Sequence, residues 1–472
     1  MFILNIIISL LLNFCNPAKV DKPNEFILNS GDSLTVKEIN IHGNTKTKEK
    51  IILREIVFSV NDTILKSELD SCLTKTEKDI FNTSLFLDIE IKYSINKKDE
   101  ISFDIYVKER WFTFVFPILE LADRSPNEWW VDHNHEIDRL EYGLKFIQHN
   151  CRGMDEDLTL QLQFGYSQKF KLEYLIPYID KNQKTGLKIN AYHENNHEIA
   201  YGINLQNKLL YLENQSIVRQ RNILDFIFSR RNKIRNIHLL GLSFNNNKIS
   251  DTIVGLNSNY FGSNLPSQSY FSFWYNYNSN HTDIHFYPEK GYSVDFLLRK
   301  DGLGIINDMN RITIGASISY YKNFGNRIYY AGKSMFNFSS LKDQNFYNSP
   351  VLGYHGIYPR AYEYYLVRGK AFLLVKNEMK FKLIDRDFYI NKFQNLKKFN
   401  NVPLVLYPKV FVDAAYMYDN LSFKNYEMTN RMLLGAGFGF DFVTYYDIVI
   451  RCELGVNHKK ETALFFHFEK AI

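Results

Sequence analysis

From about Trp111 onward the chain alternates apolar and polar residues with a period of two. Between Arg311 and Tyr321, Ile312, Ile314, Ala316, Ile318 and Tyr320 fall on one side, and Thr313, Gly315, Ser317, Ser319 and Tyr321 on the other. That spacing places the two sets on opposite faces of a β-strand. Residues 140–147, 158–166, 292–298, 373–383, 410–416, 447–454 and 463–468 also read as strands, with turns at 150–155 and 322–326. Two-faced strands sustained this far need a sheet that is apolar on one side and polar on the other. A sandwich is one solution; a closed barrel with its apolar face outward is the other. At about 22 residues per strand and loop, the region holds roughly 16 strands.

Residues 34–109 follow a different rhythm. Leu34–Ile41 alternates as a strand, and His42-Gly43-Asn44 turns. Residues 45–56 have helical character through Ile51, Ile52 and Ile56, and residues 65–81 form a second amphipathic helix through Leu65, Leu69, Leu73 and Ile80. Two further strands, 88–95 and 101–107, are joined at Asn96-Lys97-Lys98-Asp99. The order β-α-α-β-β predicts a three-stranded sheet backed by two helices. Glu109-Arg110-Trp111 leads directly into Phe114-Val115-Phe116-Pro117, so the linker to the long β region is short.

Composition narrows the choice. Mean hydropathy is −0.29 with 16% aromatic residues, which excludes a bundle of membrane helices and suits a barrel with aromatic girdles and a polar lumen. A net charge of +5 makes no case for nucleic acid. Residues 2–14 are almost entirely apolar, too short to span a bilayer as a helix and the right length for a signal segment, here placed at 1–18. Cys15 is a weak lipidation candidate, because Phe14 precedes it where a small residue is needed. The four cysteines, Cys15, Cys72, Cys151 and Cys452, contain no CxxC pair, so zinc and redox motifs are not supported. The pairs His133/His135 and His281/His285 lack the helical HExxH order of a zinc protease. No GxSxG, Walker loop or dinucleotide fingerprint occurs. The expectation is a protein without enzymatic activity, metal or cofactor.

The first module resembles a POTRA domain. The residues that carry the likeness are Ile39-Asn40-Ile41-His42-Gly43-Asn44-Thr45, Leu85-Phe86-Leu87-Asp88-Ile89 and Val107-Lys108-Glu109-Arg110. A small sheet of this kind leaves an edge strand that can accept an extended peptide. Further on, Arg360-Ala361-Tyr362 is followed by Gly369 and Asn377-Glu378, then by Val410–Tyr416 with Asp413 at its centre, then by Gly435-Ala436-Gly437-Phe438-Gly439. This order resembles the C-terminal part of the BamA/TamA superfamily of POTRA-barrel outer-membrane proteins, and the stretch Pro117–Trp130 is similar to Bacteroidetes-type members.

The resemblance implies a signal peptide at 1–18, a POTRA domain at 34–110 in the periplasm and an outer-membrane barrel at 111–472. It also implies a long extracellular loop folded into the lumen. Arg360 and Tyr362 would stand at its tip, with Glu378 and Asp413 as the acids that hold the arginine. The physics agrees: a guanidinium inside a lumen is costly unless forked onto carboxylate, and a mid-strand Asp needs a partner. Ala361 stands where the family has glycine, so a differently bent or more weakly held tip is expected; Val367-Arg368-Gly369 is a competing match. The last strand, with Ala463, Leu464, Phe466 and Phe468, would meet the first, near Leu140 or slightly earlier, in a weak seam.

The implied function is to assist folding and insertion of other outer-membrane proteins. The implied partners are unfolded clients, membrane lipid and accessory lipoproteins. The alternative is a two-partner-type secretion pore that exports one dedicated polypeptide.

Overall fold

The computed structural model describes residues 33–121, 135–180, 182–213, 216–232, 235–262, 264–306, 309–340, 345–354, 356–389, 401–444 and 448–470. The expected signal segment with Cys15, Trp129-Trp130 and His133 lie outside the described residues. The chain forms two compact units. The first holds the described residues up to His42 together with 57–77 and 90–106; the second holds 43–56, 78–89 and everything from Val107 onward.

The N-terminal elements are β1 (Ser33–His42), α1 (Glu49–Leu53), β2 (Thr63–Leu65), α2 (Leu69–Phe81), β3 (Phe86–Ile95) and β4 (Glu100–Glu109). Their sheet has the order β2-β1-β4-β3, with β1 parallel to β4. The expected three strands are therefore four. The extra one, β2, spans three residues, too few to show a period, and follows a reversal at Asn61 with φ 73°. β2 covers only Ser33–Thr35 of β1, and β3 forms the full-length edge on the other side of the sheet. Within the first unit Leu34, Val36, Ile101, Phe103 and Ile105 are fully buried, and Phe58 lies on Phe103.

α1 is shorter than the helix expected over 45–56, because Gly43–Lys48 is spent on a turn. Gly43 has φ +91°, and a Cβ there would lie 2.1 Å from the Val107 carbonyl oxygen, so only glycine fits. Glu109 accepts hydrogen bonds from the Thr45 hydroxyl (2.6 Å) and the Lys46 and Thr47 amides (3.0 and 2.7 Å). Burial alone would raise this carboxyl, yet these donors hold it below the usual range.

The rest of the chain closes into a barrel. Its walls are β5 (Thr113–Leu121), β6 (Leu140–Cys151), β7 (Glu156–Gly165), β8 (Ser167–Ile176) and β9 (Thr185–Asn196). After β10 (Glu198–Ile203) and β11 (Leu209–Glu213), which pair with each other, come β12 (Arg219–Asn232), β13 (Asn236–Ile249), β14 (Ser267–Asn280), β15 (Gly291–Asp301), β16 (Arg311–Asn323) and β17 (Ile328–Ser339). The short β18 (Val351–Leu352) and β19 (Val367–Arg368) pair inside one long loop. The wall resumes with β20 (Ala371–Phe381), β21 (Ile384–Tyr389), β22 (Asn401–Tyr418), β23 (Met432–Thr444), β24 (Ile448–Asn457) and β25 (Thr462–Lys470). The final strand hydrogen-bonds to β5, which closes the circle of seventeen segments. β20 and β21 pair in succession with the same strand, β22, so they form one broken stave and the barrel has sixteen.

The first stave is thus Thr113–Leu121, not Leu140. Its apolar residues do not alternate cleanly, and Pro117 reads as a breaker, which hid it from the period-two pattern. The outward positions are apolar and exposed: Val115, Leu119, Leu160, Phe228, Phe296, Ile318, Val412 and Phe438. Alternation puts polar and charged residues inside, as a transmembrane barrel requires. At the barrel end opposite Thr113, Ile199, Val218, Ile253, Tyr260, Phe346, Leu366 and Phe423 form one apolar cluster drawn from several connections.

Candidate functional site

The long loop between β17 and β20 dips into the lumen, and its tip is Arg360-Ala361-Tyr362. Arg360 sends Nε and Nη2 to the two oxygens of Asp413 (2.8 and 2.7 Å), a forked pair on β22. Its backbone amide donates to the same carboxylate at 2.9 Å. Nη1 reaches Glu378 on β20 at 2.7 Å and Glu453 on β24 at 3.4 Å, and Nη2 also reaches the Asn377 carbonyl at 3.2 Å. The guanidinium lies 4.1 Å from the centre of the Phe411 ring. Asp413 has no exposed surface, so this fork supplies the partners that its buried carboxylate needs.

Tyr362 is fully buried in the same region. Its hydroxyl donates to the Leu434 carbonyl and accepts from the Leu434 amide, both at 3.0 Å, and its ring stacks on His458. The tip is therefore tied to β20, β22, β23 and β24. Arg368 lies apart: it is buried against the Phe346 ring at 4.1 Å, donates to the Ser349 carbonyl, and meets no carboxylate among the described residues.

Ala361 corrects one expectation. It adopts φ +72°, the conformation in which glycine is at ease, so the tip is not bent away from a glycine-like path. The wall makes room for it. A Cβ on Gly435 would lie 2.0 Å from the Arg360 carbonyl oxygen, and one on Gly455 would lie 2.9 Å from the Ala361 Cβ. Gly437 faces a different obstacle, the Leu454 carbonyl on the neighbouring strand at 2.1 Å. The glycine run thus serves the tip at one end and close strand contact beyond it.

Several members of this cluster escaped the sequence. Glu453 is a third acid for Arg360. Lys409 on β22 has no exposed side-chain surface and stands 2.7 Å from both Asp441 and Glu453. Lys380 and Arg451 complete the ring, at 3.6 Å from Glu378 and 3.5 Å from Asp441. Each of these falls at an inward position of its strand. A second charge on the same face of an otherwise apolar strand, as Lys409 is four residues before Asp413, was the available signal.

A second segment enters from the other end. The turn between β14 and β15 buries Tyr287, whose hydroxyl donates to Asp441 at 2.8 Å. Glu289 accepts from the Tyr407 hydroxyl at 2.6 Å and sits beside Lys382 at 2.5 Å. Tyr287, Tyr329, Tyr407, Val443 and Val449 pack together there.

The expected seam residues occupy both faces of β25. Leu464 and Phe466 are exposed on the outer face, while alternation turns Ala463 inward; Phe468 pairs with Ile450 on β24. The partner of β25 is β5. In β5 the Phe112 carbonyl accepts from His149 on the β6 side, so alternate residues from Phe112 address β6 and the odd-numbered ones address β25. Pro117 is one of the latter. A ring nitrogen without hydrogen therefore faces the seam, which lacks one ladder donor there.

Comparison with known proteins bears on both parts. Residues 34–110 match the POTRA family, described as surface antigen variable number repeat. A sequence search of curated proteins gives no match. Among solved structures, BamA from Haemophilus ducreyi lacking POTRA domains 1–3 is similar at 16% identity and a TM-score of 0.51, over 92% of this chain and 84% of that one. CdiB from Escherichia coli is similar at 9% identity and a TM-score of 0.53, over 95% and 92%. CdiB from Acinetobacter baumannii is similar at 10% identity and a TM-score of 0.50, over 92% and 73%. Residues 34–110 thus match the POTRA family, and the chain as a whole shares the POTRA-plus-barrel fold of BamA and CdiB.

Proposed function

We propose that this chain sits in the outer membrane with its POTRA domain in the periplasm and assists folding and insertion of other barrel proteins. The β3 edge captures an extended client segment, and the β5–β25 seam opens sideways to template its strands. No nucleotide is needed, since burying the client's backbone hydrogen bonds in lipid supplies the free energy. Unfolded clients and lipid are the partners, with accessory lipoproteins on the periplasmic side. In this scheme the Arg360 cluster keeps the loop inside while the seam works.

The observation that carries the reading is the contrast between lumen and seam. The lumen is occupied from both ends by the Arg360 tip and the Tyr287 turn, whereas Pro117 leaves the closing ladder one donor short. The easier path is through the wall rather than along the axis. The secretion alternative requires both occupants to leave. Depletion of the protein followed by outer-membrane proteomics tests the choice: broad loss of barrel proteins is the expected result, and loss of one secreted polypeptide alone would overturn it.

A further inference from the structure

We propose that the lumen holds a small tetrahedral oxyanion, of the phosphate or sulfate class, between Lys333 on β17 and Lys376 on β20. Beside the loop tip lies a cavity of about 280 Å³ lined among others by Lys333, Lys376, Lys380, Arg451, Glu378 and Glu453. Its carboxylates are already committed. Glu378 is held by Arg360 at 2.7 Å and Glu453 by Lys409 at 2.7 Å. Asp413 and Asp441, just outside the lining, are likewise taken by Arg360 and Lys409.

The two lysines remain over. They stand directly opposite each other in the β17–β20 ladder, Lys333 against Lys376. Like charges at facing positions of adjacent strands repel. The Lys376 ammonium donates to the Gly356 carbonyl at 2.9 Å, and neither lysine forms an ion pair with a carboxylate among the described residues. Both face inward, on the side of Ala331, Met335 and Glu378, while Phe336 and Leu373 on the same strands are exposed outward.

An oxyanion between the two ammoniums removes the repulsion. It also bridges β17, β20 and, through Lys376, the loop at Gly356. Ammonium groups act as freely rotating point charges and suit a tetrahedral anion, whereas the planar fork of Arg360 is filled by carboxylates and that of Arg451 lies against Asp441. The inward aspect selects a free anion over a lipid headgroup, whose acyl chains would have to lie on the opposite face of the same strands. This site does not depend on client handling, and its test reads no client.

The full chain is purified in dodecyl maltoside without phospholipid, and its unfolding temperature is followed by heat-modifiable mobility against sodium phosphate, with ionic strength held constant by sodium chloride. A saturable rise on the order of a few degrees is expected with phosphate. It should be absent in Lys333→Gln/Lys376→Gln. Lys333→Gln alone, at an exposed position, should weaken it and serves as the readout where the double variant fails to fold. An equal response to chloride, or an undiminished response in the lysine variants, would overturn the site. Stabilisation by phosphatidylglycerol vesicles but not by inorganic phosphate would overturn the free anion.

Discussion

Two segments fold into the barrel from opposite ends, and they are held by different chemistry. The loop tip is fixed by a guanidinium shared among three carboxylates, with Lys409 beneath them. The turn at Tyr287 is fixed by phenol hydroxyls and packed rings, with one ion pair at its margin. Buried charges are worth little when matched and cost much when one partner is removed, whereas a lost phenol hydrogen bond leaves the ion pairs in place and costs less. The loop should therefore behave as a two-state catch, all in or all out, and the turn as a softer closure that yields in steps.

The largest expected effect follows from Arg360→Ala. It strands Asp413 and takes one cation from Glu378 and Glu453, which keep Lys380 and Lys409 beside them, and a loss of about 3–5 kcal/mol is expected. Denaturant titration of the detergent-solubilised barrel measures it, and adding Asp413→Ala should recover part of the loss. An unchanged midpoint would mean that the tip is not a catch.

Gly435→Ala comes next. Its methyl would lie 2.0 Å from the Arg360 carbonyl, so the tip must rise or the strand must bend, costing about 1–3 kcal/mol. Increased protease cleavage within residues 345–370 would report a displaced tip.

At the opposite end, Tyr287→Phe keeps the ring and removes one hydrogen bond to Asp441, which Lys409 still accompanies. About 1.5 kcal/mol is expected, the low end for a hydrogen bond to a charged acceptor. A loss as large as that of Arg360→Ala would erase the distinction between the two closures.

Glu109 provides a control outside both. Its carboxyl is held low in the fold, so its contribution is present above the unfolded value of about 4.3 and disappears as pH falls through the lowered folded value. Amide protection at residues 43–48, taken relative to the intrinsic exchange rate at each pH, should fall on acidification in the wild type. In Glu109→Gln it should be low and flat across the same range.

The two closures also differed in how far the sequence revealed them. Arg360, Tyr362, Glu378 and Asp413 were pointed to by the resemblance to the BamA/TamA superfamily, with the cost of an unpartnered charge in support; the structure sets Arg360 on Glu378 and Asp413 and buries Tyr362 beside the same strands. Tyr287 gave no such sign: a tyrosine beside Pro288 in a polar turn reads as a surface hairpin, and only the closed wall shows that this turn faces inward. The strands were legible wherever alternation was clean. They were lost where three residues made a whole strand, as in Thr63–Leu65, or where both faces were apolar, as in Thr113–Leu121. The β2 strand and the inward turn depend on pairing between residues distant in the chain, which local periodicity does not encode.

The packing of Ala361 over Gly455 has a corollary for sequence variation. The space between loop tip and wall admits one methyl group, not two. An alanine introduced at 455 should be tolerated only when 361 has become glycine, and that exchange of sizes would also relieve the backbone at 361. Paired sampling of these positions in a randomised library would reveal the anticorrelation without any assay of activity.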